Sequence, residues 1–145
     1  MNKPMQTLTA DKYTFLAELA KAYRDAHLPS IKREGGWNPR LGVDALCFQH
    51  HGAEHMVGAL ITPCELWLVA VPEQSQLTKP LADSLTLSLP SGAYQLSLER
   101  LPGGYELYKR VILRDLSELE SMQEAARLAQ QMMSRLMQPA EEPGA

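Results

Sequence analysis

Residues 56–72 read MVGALITPCELWLVAVP, the most apolar run of the chain. A membrane-spanning helix needs about 20 predominantly apolar residues. This run is shorter, and Pro63 and Glu65 interrupt it near its middle. Pro63 also pushes Thr62 away from helical backbone geometry. The run therefore predicts two strands that meet at Thr62-Pro63. The second strand, residues 64–71, is apolar on both sides. Leu66 and Leu68 point one way, Trp67, Val69 and Val71 the other. Such a strand is either central in a sheet or faces an apolar ligand.

Working outward, the period of the apolar residues changes twice. Leu16, Leu19, Ala20 and Tyr23 recur at helical spacing and predict a helix over residues 10–26, capped by Thr9 and ended by Pro29. KREGGWNPR is a loop by its Gly-Gly and Asn-Pro pairs. Leu41, Val43, Ala45 and Cys47 then alternate with Asp44, Leu46 and Phe48, which predicts a strand. HHGAE reads as a hairpin turn into a second strand from Glu54 to Ile61. Beyond Pro72 a connection to Asp83 leads to Leu85, Leu87 and Leu89, then Tyr94, Leu96 and Leu98, then residues 105–113, with PSG and LPGG as turns. Ser117 and Glu120 have the spacing of a capping box. The helix behind them carries Leu119, Met122, Ala126, Ala129, Met133 and Leu136 as one apolar stripe. The expected fold is α+β: an N-terminal helix, an antiparallel sheet of about five to six strands, and a C-terminal helix packed on one face. Residues 1–8 are expected as a flexible leader, 9–137 as a single domain and 138–145 as a disordered tail.

The bulk properties exclude several classes. With 145 residues and a net charge of -3, the chain is one domain's worth of sequence without a basic nucleic-acid surface. Its two cysteines form no CxxC pair and no zinc spacing, and both read as small buried apolar residues in a reducing compartment. The first residues lack the apolar run of a secretory signal, so a cytoplasmic location is expected. There is no Gly-rich phosphate loop, no nucleophile elbow and no HExxH helix. No catalytic residue and no cofactor is expected.

Three constellations compete for function. His50, His51 and His55 could ligate nickel or zinc, though adjacent residues on a strand face opposite ways and a solvated hairpin tip explains them as well. Cys64 could be a nucleophile only with a histidine base in reach, which the spacing does not supply. The third is an apolar peptide-binding surface. A sheet covered by helices on one face would leave its other face to a partner. Met122, Met132, Met133 and Met137 could adapt to varied apolar peptides, or simply fill the core.

NPRLGVDAL, GALITPCELWLVAVP and LSLPSGAYQLSLERLPGGYELYKRVIL together resemble the HybE/HupJ family of NiFe-hydrogenase assembly chaperones. The carriers are an N-P-x-L-x-V strand, a G-x-L-I-T-P turn followed by an apolar strand ending in proline, and an L-P-x-G-x-Y hairpin. The resemblance runs from about Trp37 to Leu113. Cys64 stands where the family often has an aromatic. Paired CxxC motifs of a rubredoxin-like part, present in some members, are missing here, so the resemblance implies no iron site. It implies a non-enzymatic cytoplasmic chaperone. Its partner would be the hydrogenase small-subunit precursor with its twin-arginine signal peptide, and possibly other maturation factors. Such a signal has a basic and an apolar part. Met56, Val57, Leu66, Trp67 and Leu68 are the expected apolar contacts, and Asp44, Glu54 and Glu65 the expected carboxylates.

Overall fold

The structure, a computed structural model, describes residues 8–52, 55–72 and 82–139. The expected leader and tail, the connection after Pro72, and Glu54 fall largely or wholly outside these residues. The described elements are α1 (Ala10–Glu34), β1 (Asp44–His51), β2 (His55–Ile61), β3 (Leu66–Pro72), β4 (Ser84–Leu89), β5 (Gly92–Leu101), β6 (Tyr105–Leu113) and α2 (Met122–Leu136). The strands form one antiparallel sheet in the order β1-β2-β3-β6-β5-β4. The α+β class and the antiparallel sheet, with one helix before it and one after it in the chain, are as the sequence led us to expect.

The helices take opposite faces of this sheet, and this corrects the expectation of one open side. Leu16, Leu19, Ala20 and Tyr23 of α1 pack with Met56, Leu60, Trp67, Val69, Val71 and Leu107. Ala125, Ala129 and Met133 of α2 pack with Val57, Ala59, Ile61, Leu66, Leu68 and Ala70 on the other side. Every residue of β3 is buried. Its two-sided apolarity thus comes from a central position between two helices. Burying a large aliphatic side chain contributes about 1.5–3 kcal/mol, which is why the central strand has no polar face. The methionines mostly join this core: Met133 is buried, Met132 and Met137 pack against it, and the Met122 sulfur accepts the Gly42 N–H at 3.3 Å.

Two boundaries and one strand register differ from the sequence expectation. Helix α1 continues through Pro29 to Glu34. Proline costs one helical hydrogen bond, but Asp25 and Pro29 are exposed, so the Asp25 carbonyl can take water instead. The helix stops at Gly35 and Gly36, with φ of 77° and 73°, a backbone region open to glycine at little cost. Helix α2 is capped at Ser121, whose hydroxyl accepts the Glu124 N–H at 3.1 Å, one turn later than Ser117. Ser117 and its neighbours are held in turns, with Leu119 N–H bonded to Leu116 O.

The third difference is a bulge in β1. The pairing slips between Leu46 and Gln49, so Cys47 and Phe48 together oppose Gly58. Cys47 adopts φ 59° and is exposed, while Phe48 turns into the α1-side core beside Val43 and Ala45. A one-residue slip exchanges the faces of the residues beyond it. Strict alternation had placed Cys47 inside and Phe48 on the opposite face to Ala45.

A polar and aromatic network around Trp67

Thr62 and Pro63 form the corner between β2 and β3. Thr62 is buried, and its hydroxyl oxygen accepts the N–H groups of Cys64 at 3.1 Å and Glu65 at 2.8 Å. The Thr62 N–H and hydroxyl both donate to the Glu65 carbonyl, at 2.9 and 3.1 Å. Pro63 occupies the turn position that its fixed φ suits. The corner is anchored from outside by Asn38, whose N–H donates to the Pro63 carbonyl at 2.9 Å. The Asn38 side chain donates to Leu116 O at 2.8 Å and Leu119 O at 2.7 Å.

This rigid corner aims Glu65 along the α1-side face, where residues two apart on a strand are neighbours. Glu65 accepts the Trp67 indole N–H at 2.9 Å, and its second oxygen lies 3.6 Å from Arg114. The Trp67 indole is 1% exposed. Tyr23 meets it edge to face, with ring centroids 4.8 Å apart, and His27 stacks on Tyr23 at 4.4 Å. Lys109 Nζ lies 4.0 Å from the indole centroid and 2.8 Å from Glu99 Oε1. Burial, then the charges of Glu65, Glu99 and Cys64, push the Tyr23 phenol above its usual range, so it stays neutral. Next to this network a groove is lined by Gln95, Ser97, Lys109, Arg110, Val111 and Arg114.

The structure disperses the rest of the expected set. Met56, Val57, Leu66, Trp67 and Leu68 are core residues, divided between the two faces. Asp44 is exposed on edge strand β1, paired with Ile61, whose side chain belongs to the α2-side core. Asp44 and Glu65 therefore sit on opposite faces. His51 pairs with His55 across the hairpin, whereas His50 pairs with Met56 and faces the other way. Among the described residues, no group of three or more His, Cys, Asp or Glu side chains could hold a metal ion. The pleat that separates His50 from His51 is the physical reason.

Tyr23, Glu99, Lys109 and Arg114 complete the network, and none was expected from the sequence. One signal was present. With LPGG as the turn, Ser97 lies opposite Lys109 and Glu99 opposite Leu107, which makes Glu99 and Lys109 diagonal neighbours on one face. The meeting of Tyr23 with Trp67 has no such local signature.

The two thiols are poorly suited to nucleophilic work. Burial raises the Cys47 thiol above its ordinary value; burial and the nearby Glu65 and Glu34 raise Cys64. A raised pKa means less thiolate at a given pH. Alkylation of the folded chain by iodoacetamide at pH 8 should therefore run severalfold slower than in the urea-unfolded chain, and should keep accelerating above the ordinary thiol pKa. Equal rates in both states would refute this.

Among the described residues no helix is long and apolar enough to cross a membrane. Sequence comparison with curated proteins gives no match. Among solved structures, the chain is similar to the solution structure of HybE from Escherichia coli, with 22% identity and a TM-score of 0.65. The alignment covers 88% of this chain and 80% of that one. At this identity the likeness speaks for the fold alone. The family described as NiFe-hydrogenase assembly, chaperone, HybE matches residues 14–145, from the second turn of α1 through the last residue. With nearly the whole chain matched, the protein belongs to the HybE family of NiFe-hydrogenase assembly chaperones.

Proposed function

We propose that this chain acts in hydrogenase maturation by holding the small-subunit precursor, through its twin-arginine signal peptide, until assembly is complete. The family match over residues 14–145 carries this reading. The carboxylates near Trp67 support it. A signal peptide of this kind offers basic side chains followed by an apolar stretch. Glu65 accepts the indole N–H and Glu99 pairs with Lys109, while Val111, directly across from Trp67, contributes an apolar side chain to a groove also lined by Lys109, Arg110 and Arg114.

Of the expected contacts, we assign Glu65 to the client directly, with Trp67 holding its carboxylate in place through the indole N–H. Met56, Val57, Leu66 and Leu68 form the packed layers that hold the site rigid. Asp44, exposed on edge strand β1, would act only as an outlying carboxylate. The protein works by binding, without a chemical step, and in the cytoplasm, where a precursor waits before export.

Titration of the purified chain with the small-subunit precursor, with and without its signal peptide, tests this reading. Saturable binding is expected, weakened by salt because exposed charge pairs are screened. Amide shift changes should concentrate on β3, β5 and β6. No binding to either form at high micromolar concentration would sink the proposal.

A further inference from the structure

Strands β5 and β6 separate before their ends. Their pairing begins at Leu101 with Tyr105 and stops at Ser97 with Lys109. Beyond that point β5 stays with β4 as far as Gly92, and β6 stays with β3 as far as Leu113. The two strands thus diverge into a V-shaped cleft, bordered by the backbone of residues 93–96 and 110–113 with no ladder between them. The Gln95 carbonyl shows this directly. It accepts Arg110 Nη1 at 3.3 Å, a side chain in the place of a ladder N–H. The groove lined by Gln95, Ser97, Lys109, Arg110, Val111 and Arg114 is this cleft. An unpaired strand edge is a template for another strand.

The lining carries three cations and no carboxylate. Lys109 is committed to Glu99 at 2.8 Å. Arg114, its side chain 78% exposed, has a loose contact with Glu65 at 3.6 Å, which contributes little. Arg110 is exposed and, among the described residues, meets a neutral carbonyl in place of a carboxylate. In a chain of net charge -3 this is a local excess of positive charge. We infer that the β5–β6 cleft takes an extended acidic segment of a partner protein, which adds to the sheet as a strand and pairs its carboxylates with Arg110 and Arg114. On binding, Arg110 turns from the Gln95 carbonyl to a carboxylate, and an N–H of the segment takes the carbonyl. Two independent features select this occupant. The strand edges call for a peptide backbone, with its alternating donors and acceptors. The cations call for carboxylates, which an arginine binds through two parallel donors. Val111 offers the segment an apolar side chain between the charges. A polyphosphate or nucleic acid would bring charge without backbone donors, and the net negative chain would repel a long polyanion. The inference goes beyond the signal-peptide reading, whose client is basic, and does not depend on it.

The test is titration of the full chain with a short peptide of alternating glutamate and valine, read by amide shifts and calorimetry. Versions with glutamine or lysine in place of glutamate are the controls. Shifts should cluster on residues 93–97 and 110–114, and only the glutamate peptide should saturate them. Arg110→Gln with Arg114→Gln should weaken binding about tenfold, the effect of two exposed charge pairs. Arg110→Lys keeps the charge and should stay within about threefold of wild type. Glu65→Gln releases Arg114 and should tighten binding. N-methylation of alternate peptide amides should abolish binding in at least one of the two registers, because a strand turns alternate N–H groups to its neighbour. No shifts at millimolar peptide, equal binding of the lysine version, or tolerance of methylation in both registers overturns the inference. So does polyphosphate binding as tightly with the same shifts, which would make the cleft a general anion site, or a concentration-dependent dimer that excludes the peptide. If the precursor binds while the acidic peptide does not, the chaperone reading stands and this inference falls.

Discussion

Asn38→Asp should lower stability by about 4 kcal/mol at neutral pH, from two lost donors and an unpaired buried charge. Asn38 is 5% exposed and has one side-chain N–H on each of two carbonyls, Leu116 and Leu119. Its side-chain oxygen accepts the Arg40 N–H at 2.9 Å. One residue thus ties the loop before β1 to the β2–β3 corner and to the connection into α2. Aspartate has the same shape but no donors, and its carboxylate would face two carbonyl oxygens. The pH dependence follows from that geometry. Repulsion and burial raise the folded-state pKa of the new carboxyl above its unfolded value of about 3.9. The penalty is therefore complete above the folded pKa and fades as pH falls toward the unfolded one. Asn38→Ala, without a charge, should cost about 3 kcal/mol at either pH. Urea unfolding at pH 7 and pH 4.5 separates the two variants. Parallel losses at both values would show that the carboxylate is not facing those carbonyls.

Gly58→Ala should cost about 3 kcal/mol, at the upper end for an overpacked core. A β-carbon on Gly58 would stand 2.5 Å from the Phe48 Cγ and Cδ1 atoms and 2.8 Å from the Phe48 Cα. The ring could rotate away; the Cα could not. Relief requires the β1 bulge to move, which would disturb the pairing of Gln49 with Val57 and Leu46 with Ala59. Phe48→Ala alone leaves a cavity and should cost about 3 kcal/mol. The double variant should lose clearly less than the sum, because removing the ring leaves only the contact with the Phe48 Cα. A strictly additive cycle would mean that the ring does not lie on Gly58. The glycine of the G-x-L-I-T-P motif is thus explained by contact: the bulge lays Phe48 on the backbone there.

Much of the architecture was legible from local pattern. The two-residue alternation of Leu85–Leu89 and Tyr94–Leu98, the PSG and LPGG turns and the helical stripe of Leu16–Tyr23 mark elements that the structure contains. These signals are local because strand pleat and helix pitch repeat over a few residues. Boundaries were less legible where a nonlocal partner decides. Pro29 continues a helix because its end is exposed, and α2 begins late, after Asn38 has bound the Leu116 and Leu119 carbonyls ahead of it. Cys47 and Phe48 exchanged faces because a bulge adds one residue against Gly58, and a single sequence carries no sign of that count.

The candidate site divides in the same way. By itself the sequence determined that residues 56–72 form two strands at a Thr-Pro corner and that the second is apolar on both sides. Both follow from proline geometry and the two-residue pleat. Only the tertiary structure decided what covers those two sides. It placed α2 over Leu66 and Leu68 and α1 over Trp67, so the apolar strand is core. It also set Lys109 on the indole and Glu99 on Lys109. Those contacts join β3 to β5 and β6 and to a helix far away in the chain. Their positions depend on the order and register of the whole sheet, which no local period encodes.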